Sequence, residues 1–121
     1  MTKKHRCPPE DLLPLPPVVF HILLALGDGD RHGYALKREI ASRTGGRINP
    51  GPGVLYGSIR KMLEQGLIEE SDSRPFAHLD DERRRYYRLT DYGRAVARAE
   101  AARLRELLHL ARLRFGLPDP A

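Results

Sequence analysis

The chain contains no tryptophan, a single cysteine, and aromatic residues at only 7% of its 121 positions. Its core must therefore be built from aliphatic side chains, and its length supports one modest domain. The lone Cys7 excludes an intramolecular disulfide. No CxxC pair or Cys/His cluster offers metal-ligand spacing, so the expected setting is the reducing cytoplasm. Long hydrophobic runs are missing too: the apolar stretch 18–26 is too short to cross a bilayer, and no signal-peptide cleavage pattern precedes it. His5, His21, His32, His78 and His109 are scattered over a tail, helices and a loop, with no companions at catalytic or metal spacing. That distribution argues against an enzyme, a cofactor or a metal centre. Acidic residues are the minority, 16 against 21 Lys and Arg, for a formal net charge of +5. A basic excess of this kind favours an anionic partner such as nucleic acid. Beyond residue 74 it is almost wholly arginine, whose planar fork suits bidentate phosphate and base recognition.

Residues 1–15 combine charge with proline, lack any hydrophobic period, and are expected to form a flexible arm. Pro16 and Pro17 then stand where a helix can start, and Val18, Val19, Ile22, Leu23 and Leu26 give that helix a broad apolar face. Gly27-Asp28-Gly29-Asp30 reads as a turn, with Asp30 expected to cap a second helix from His32 to Arg43 that points Leu36 and Ile40 at the core.

Thr44-Gly45-Gly46 ends the second helix, and a loop leads to Pro52. Leu55, Ile59, Met62 and Leu63 recur at i, i+4, i+7 and i+8, which gathers them on the core-facing stripe of a third helix. Rotation by 100° per residue places Gly53, Val54, Gly57, Arg60, Lys61 and Glu64 on the opposite side, with Tyr56 and Ser58 on the flanks. Pro52 suits a first helical position and Gly66 a left-handed stop. Two short helices joined in this way, the second with a small and basic outer face, make a helix-turn-helix whose second member enters a DNA major groove. Small residues admit the backbone, while Arg60 and Lys61 reach phosphates or guanine edges.

After Gly66, residues 67–73 and 83–89 read as two strands of a hairpin with a large polar tip. Period-two alternation puts Arg85, Tyr87 and Leu89 on one face, leaning on the core through Leu89, and Arg84, Tyr86 and Arg88 on the other. Arg83 and Arg84, near the tip, are placed to meet a phosphate backbone or a narrow minor groove, or else to pair with the neighbouring Asp80, Asp81 and Glu82. Thr90 is a suitable N-cap for a last helix that meets no breaker except Gly93 until Gly116, about 25 residues or roughly 37 Å. Its apolar residues Val96, Leu104, Leu107, Leu108, Ala111 and Phe115 overhang a small domain and call for a partner. A second copy, joined through this helix and through Val18, Val19 and Ile22 of the first, makes a two-fold homodimer.

His32-Gly33-Tyr34-Ala35-Leu36, Gly51-Pro52-Gly53-Val54-Leu55-Tyr56, Leu63-Glu64-Gln65-Gly66-Leu67-Ile68, and Arg84-Arg85-Tyr86-Tyr87-Arg88-Leu89-Thr90 with Gly93 follow one another at the separations seen in the PadR family of bacterial transcriptional regulators. The chain resembles that family over about residues 18–115, and its compact subgroup in particular. The resemblance implies a mainly α fold with a small β-hairpin: a winged helix-turn-helix carrying a long C-terminal dimerisation helix. In domain terms this is an arm at 1–15, a DNA-binding domain at 16–89, the dimerisation helix at 90–116 and a tail at 117–121. It further implies sequence-specific binding to double-stranded DNA as a homodimer on a two-fold operator, repression of a nearby promoter, and, for some members, a small aromatic effector in the dimer interface. Tyr34, Val54, Tyr56, Gly57, Ser58, Arg60 and Lys61 then lie near DNA, with Arg83, Arg84 and Arg85 in the wing. Gly57 departs from the proline often found there, so a base contact is not carried over at that position. The competing classes are a winged-helix module that binds protein and an architectural protein that binds DNA without sequence preference.

Overall fold

The computed structural model describes residues 6–71 and 85–118. Helix α1 (Pro17–Leu26) opens on a proline, where a missing N–H costs no hydrogen bond. Strand β1 (Arg31–His32) leads directly into α2 (Gly33–Arg43), and α3 (Pro52–Gln65) follows after the turn. Strands β2 (Ile68–Ser71) and β3 (Tyr86–Leu89) precede α4 (Asp91–Phe115). The sheet is antiparallel with order β1-β3-β2: Arg31 faces Tyr87, His32 faces Tyr86, and β2 runs from Ile68 opposite Leu89 to Ser71 opposite Tyr86. The fold is thus mainly helical with a small sheet, as expected, although β1 was not anticipated. Two residues are too short for alternation to register.

The core is aliphatic, formed by Ile22, Leu23 and Leu26 of α1, Leu36 and Ile40 of α2, Leu55, Ile59 and Met62 of α3, with Leu67, Ile68, Tyr87 and Val96 closing it. Val19 and Ile22 are buried in this core, and Val18 packs against its edge. A face consumed within its own chain cannot be shared, so Val19 and Ile22 are withdrawn from the candidate dimer surface. The exposed large side chain of α1 is Leu24 instead.

Three local expectations also change. The cap of α2 is His32, whose Nδ1 accepts the Ala35 N–H at 3.2 Å, while Asp30 accepts a hydrogen bond from the Ser71 hydroxyl and ties the preceding turn to β2. Tyr86, on the face of β3 opposite Leu89, is buried as well, because the His32 ring stands edge-on against it at 5.3 Å between centroids. The described part of the expected N-terminal arm, finally, is docked. It makes a 3-10 turn (Pro9–Leu12), Leu12 and Leu13 pack on the core, and the Leu15 N–H donates to Glu100 Oε2 at 3.0 Å. Glu100 is only 2% exposed and is gripped from the other side by Arg103. The Arg103 hydrogen bonds, supported by the Leu15 amide and opposed by burial, hold its carboxyl below the usual carboxylate range. Tyr92 donates to the Cys7 carbonyl at 2.8 Å, and its phenol is pushed up to about 12, first by burial and then by its contact with Cys7. Proline-rich composition alone could not reveal a segment held by residues some eighty positions away.

The junction of α3, β2 and α4 is the tightest point. Gly66 closes α3 at φ 77°, with Leu67 N–H returning to the Met62 carbonyl at 2.9 Å. Thr90 caps α4 by accepting from the Gly93 N–H at 2.9 Å. A Cβ on Gly93 would lie 2.0 Å from the Leu67 carbonyl oxygen, a backbone atom with nowhere to go. Gly93→Ala is accordingly expected to cost about 1–3 kcal/mol, as overpacking does; urea unfolding of the variant beside the parent chain measures it, and an unchanged midpoint would contradict this packing.

Candidate nucleic-acid interface

The face of α3 turned away from the core is open. Val54 is 58% exposed and Tyr56 45%, Gly53, Gly57, Arg60 and Lys61 are exposed, and Ser58 is half-buried at the edge. Among the described residues neither Arg60 nor Lys61 has an ion-pair partner, and both side chains are exposed to solvent. The helix N-terminus carries no side-chain cap, and Gly51 and Pro52 begin it without bulk.

Helix α2 brings a second set of groups to the same turn. Tyr34 is 54% exposed, with the Arg38 guanidinium 5.8 Å from its ring centre. Lys37 donates to Asn49 Oδ1 at 3.2 Å, just ahead of α3. Neither contact is with a carboxylate, so no acid offsets these two cations. The turn itself is knitted by Thr44, whose hydroxyl donates to the Ile40 carbonyl at 2.9 Å and accepts the Ile48 N–H at 3.0 Å. Lys37 and Arg38 were not singled out from the sequence. The signal was available, since Arg38 follows Tyr34 by one helical turn and shares its face.

Several other cations are paired with acids within the protein. Glu39 holds both Arg31, at 3.3 Å, and Arg43. In the ribbon, Arg88 pairs with Glu69 at 2.8 Å, and Arg85 reaches both carboxylate oxygens of Glu70, at 3.0 and 3.1 Å. The acid facing Arg85 therefore comes from the opposite strand, a neighbour that linear order does not reveal. Arg83 and Arg84 lie outside the described residues. Tyr87, beside this pair, has its phenol raised by burial first, then by Glu70 and Tyr56. Among the described residues no group of His, Cys, Asp and Glu is arranged to hold a metal ion, and no helix is long and apolar enough to cross a membrane.

This arrangement has counterparts. The sequence profile of the transcriptional regulator PadR-like family matches residues 22–99. An uncharacterised 37.1 kDa protein in a transposon of Streptomyces fradiae is 37% identical over 84 residues, which cover 66% of this chain. The match spans about a fifth of that relative's length, 21%. A transcriptional regulator from Clostridium thermocellum superimposes with a TM-score of 0.64 at 25% identity, covering 81% of this chain and 88% of its own. A PadR family transcription regulator from Clostridium difficile superimposes at 0.67 with 20% identity, covering 81% and 97% respectively, a likeness of fold.

The Arg85–Glu70 pair makes the ribbon testable by charge. If the ribbon borders a polyanion, Glu70→Gln frees one cation and should tighten binding to duplex DNA at low salt. The slope of log affinity against log salt should then steepen by up to about one unit. Fluorescence anisotropy across a salt series measures both, and an unchanged slope would remove Arg85 from the contact surface.

Proposed function

The chain belongs to the transcriptional regulator PadR-like family, and from that premise we propose that it is a sequence-specific repressor that binds duplex DNA as a homodimer. Family members are non-enzymatic DNA-binding regulators. The observation that carries the sequence-specific reading is the outer face of α3: Val54, Tyr56, Gly57 and Ser58 present small and apolar groups, with the uncompensated Arg60 and Lys61 one turn further on. A helix of that shape enters a major groove, where arginine and lysine reach guanine edges or flanking phosphates. Tyr34, Lys37 and Arg38 on α2 extend the positive surface toward the backbone, and we infer that Arg83, Arg84 and Arg85 add phosphate contacts. Two groups of contacts then divide the work, with the helix selecting sequence and the ribbon holding the phosphates.

The dimer reading rests on α4. Its second half exposes Leu104, Leu107, Leu108, Leu110, Leu113 and Phe115, the last two at 69% and 78%. Its first half is rich in alanine at 95, 97, 99, 101 and 102. Two such helices related by a two-fold axis and running antiparallel set large side chains against small ones. Phe20, Leu23, Leu24, Ala97 and Ala101 line a groove of about 220 Å³ between α1 and α4 that suits the partner's leucine-rich end. A small aromatic effector, of the kind the family likeness suggests, would compete for this groove and separate the two reading helices. The dimer spaces its half-sites by one helical turn of DNA, ~34 Å. Repression is the role that the family likeness suggests, and it would follow from occupancy of the promoter.

Two measurements test the reading. Replacing Arg60 and Lys61 by alanine should reduce affinity for a duplex selected from a random pool by about two orders of magnitude, while binding to unrelated duplex falls far less. Equal affinity of the unaltered chain for all sequences would instead favour the architectural role. Leu108→Glu should convert dimer to monomer in sedimentation equilibrium; an unchanged dimer would move the interface away from α4.

A further inference from the structure

We propose that Gly33 is a positioning residue for the DNA-reading helix, acting through Tyr56. The proposal rests on the DNA-reading function argued above and adds a determinant of its selectivity. Gly33 is the first residue of α2 and is buried. Its backbone does not demand glycine: Gly33 is absent from the positive-φ set of Gly29, Gly45, Gly46, Gly66 and Gly116. Glycine is also among the poorest helix formers, so the residue is not explained by its own helix. What it provides is space. A Cβ on Gly33 would stand 2.7 Å from Tyr56 Oη, 2.8 Å from Cε1 and 3.0 Å from Cζ. The Tyr56 ring occupies the volume that any other side chain at position 33 would take.

Tyr56 lies on the flank of α3, between the buried Leu55 and Ile59 stripe and the open face that carries Gly57 and Arg60. Its hydroxyl end rests on the start of α2, against Gly33, so one ring links the first turn of α2 to the second turn of α3. His32 fixes the same point from the other side, capping α2 with its ring and pairing with β3 through its backbone. The rotamer of Tyr56, and with it the side chain offered to DNA, is therefore decided by the notch at Gly33. The atoms that a Cβ would displace belong to the end of a side chain, not to backbone. A methyl group there is relieved by moving Tyr56, which leaves the core layers of α1, α2 and α3 in place.

A double-mutant cycle on the full chain tests this, with Gly33→Ala, Tyr56→Leu and the double variant assayed for melting temperature and for binding to two duplexes. One duplex is selected from a random pool by the unaltered protein, and the other has unrelated sequence. Gly33→Ala is expected to keep its melting transition and its affinity for unrelated duplex while losing about tenfold on the selected one. In the Tyr56→Leu background the same substitution should change selected binding by less than about twofold. An equal loss in both backgrounds, or no loss in either, overturns the proposal. Should Gly33→Ala fail to fold, recovery of the melting transition in the double variant supports the notch, and failure to recover overturns it. A parent chain that enriches no sequence from the pool overturns the DNA-reading function itself, an outcome distinct from an altered coupling between positions 33 and 56.

Discussion

The structure depends on how the C-terminal carbonyls of α3 are satisfied. A helix leaves its last carbonyl groups without internal partners, and here the carbonyls at and just after the end of α3 draw theirs from two distant parts of the chain, the N-terminal segment and Thr90. The Gln65 carbonyl accepts from Arg6 at 2.8 Å, the Gly66 carbonyl from the Thr90 hydroxyl at 2.6 Å, and the Leu67 carbonyl from both the Thr90 hydroxyl and its N–H, at 3.0 and 3.2 Å. Gly93 then passes against Leu67 so closely that no side chain fits. One residue, Thr90, thus ends the ribbon, caps α4 and seals α3. The N-terminal segment, the reading helix, the sheet and the long helix all meet at three peptide groups.

That junction gives the regulator its mechanical sense. The far end of α3 is held against the first turn of α4, where Arg6, 5.3 Å from the Tyr92 ring centre, bridges the two helices, and the Leu15–Glu100–Arg103 group ties the N-terminal segment to α4. The near end of α3 is set by Tyr56 in the Gly33 notch. Helix α3 is thus held at one end by α4 and at the other by the start of α2.

Charge is distributed with the same economy. Arg31, Arg43, Arg85 and Arg88 are matched with Glu39, Glu69 and Glu70, whereas Lys37 meets an amide, Arg38 a ring, and Arg60 and Lys61 no acid among the described residues. Surface pairs of this kind contribute little to stability. Their larger effect is on the potential, since they cancel cations beside the helix pair and leave Lys37, Arg38, Arg60 and Lys61 without an ion-pair partner among the described residues.

Much of this was legible from residue order, because it is written in local terms. Proline at the start of α1 and α3, Gly66 at the end of α3, the Leu55–Ile59–Met62 stripe, the Thr90 cap and the length of α4 all follow from spacing and backbone preference within a few positions. Tertiary structure alone decided the rest. The docking of residues 6–15, the burial of Tyr86, the use of Val19 and Ile22 inside the protomer, the pairing of Arg85 with Glu70 and the fit of Tyr56 on Gly33 join positions far apart in the chain. A periodic pattern states that a side chain must be buried but not against what; only the meeting of distant elements supplies the partner, and with it the charge that remains free and the shape that is presented outward.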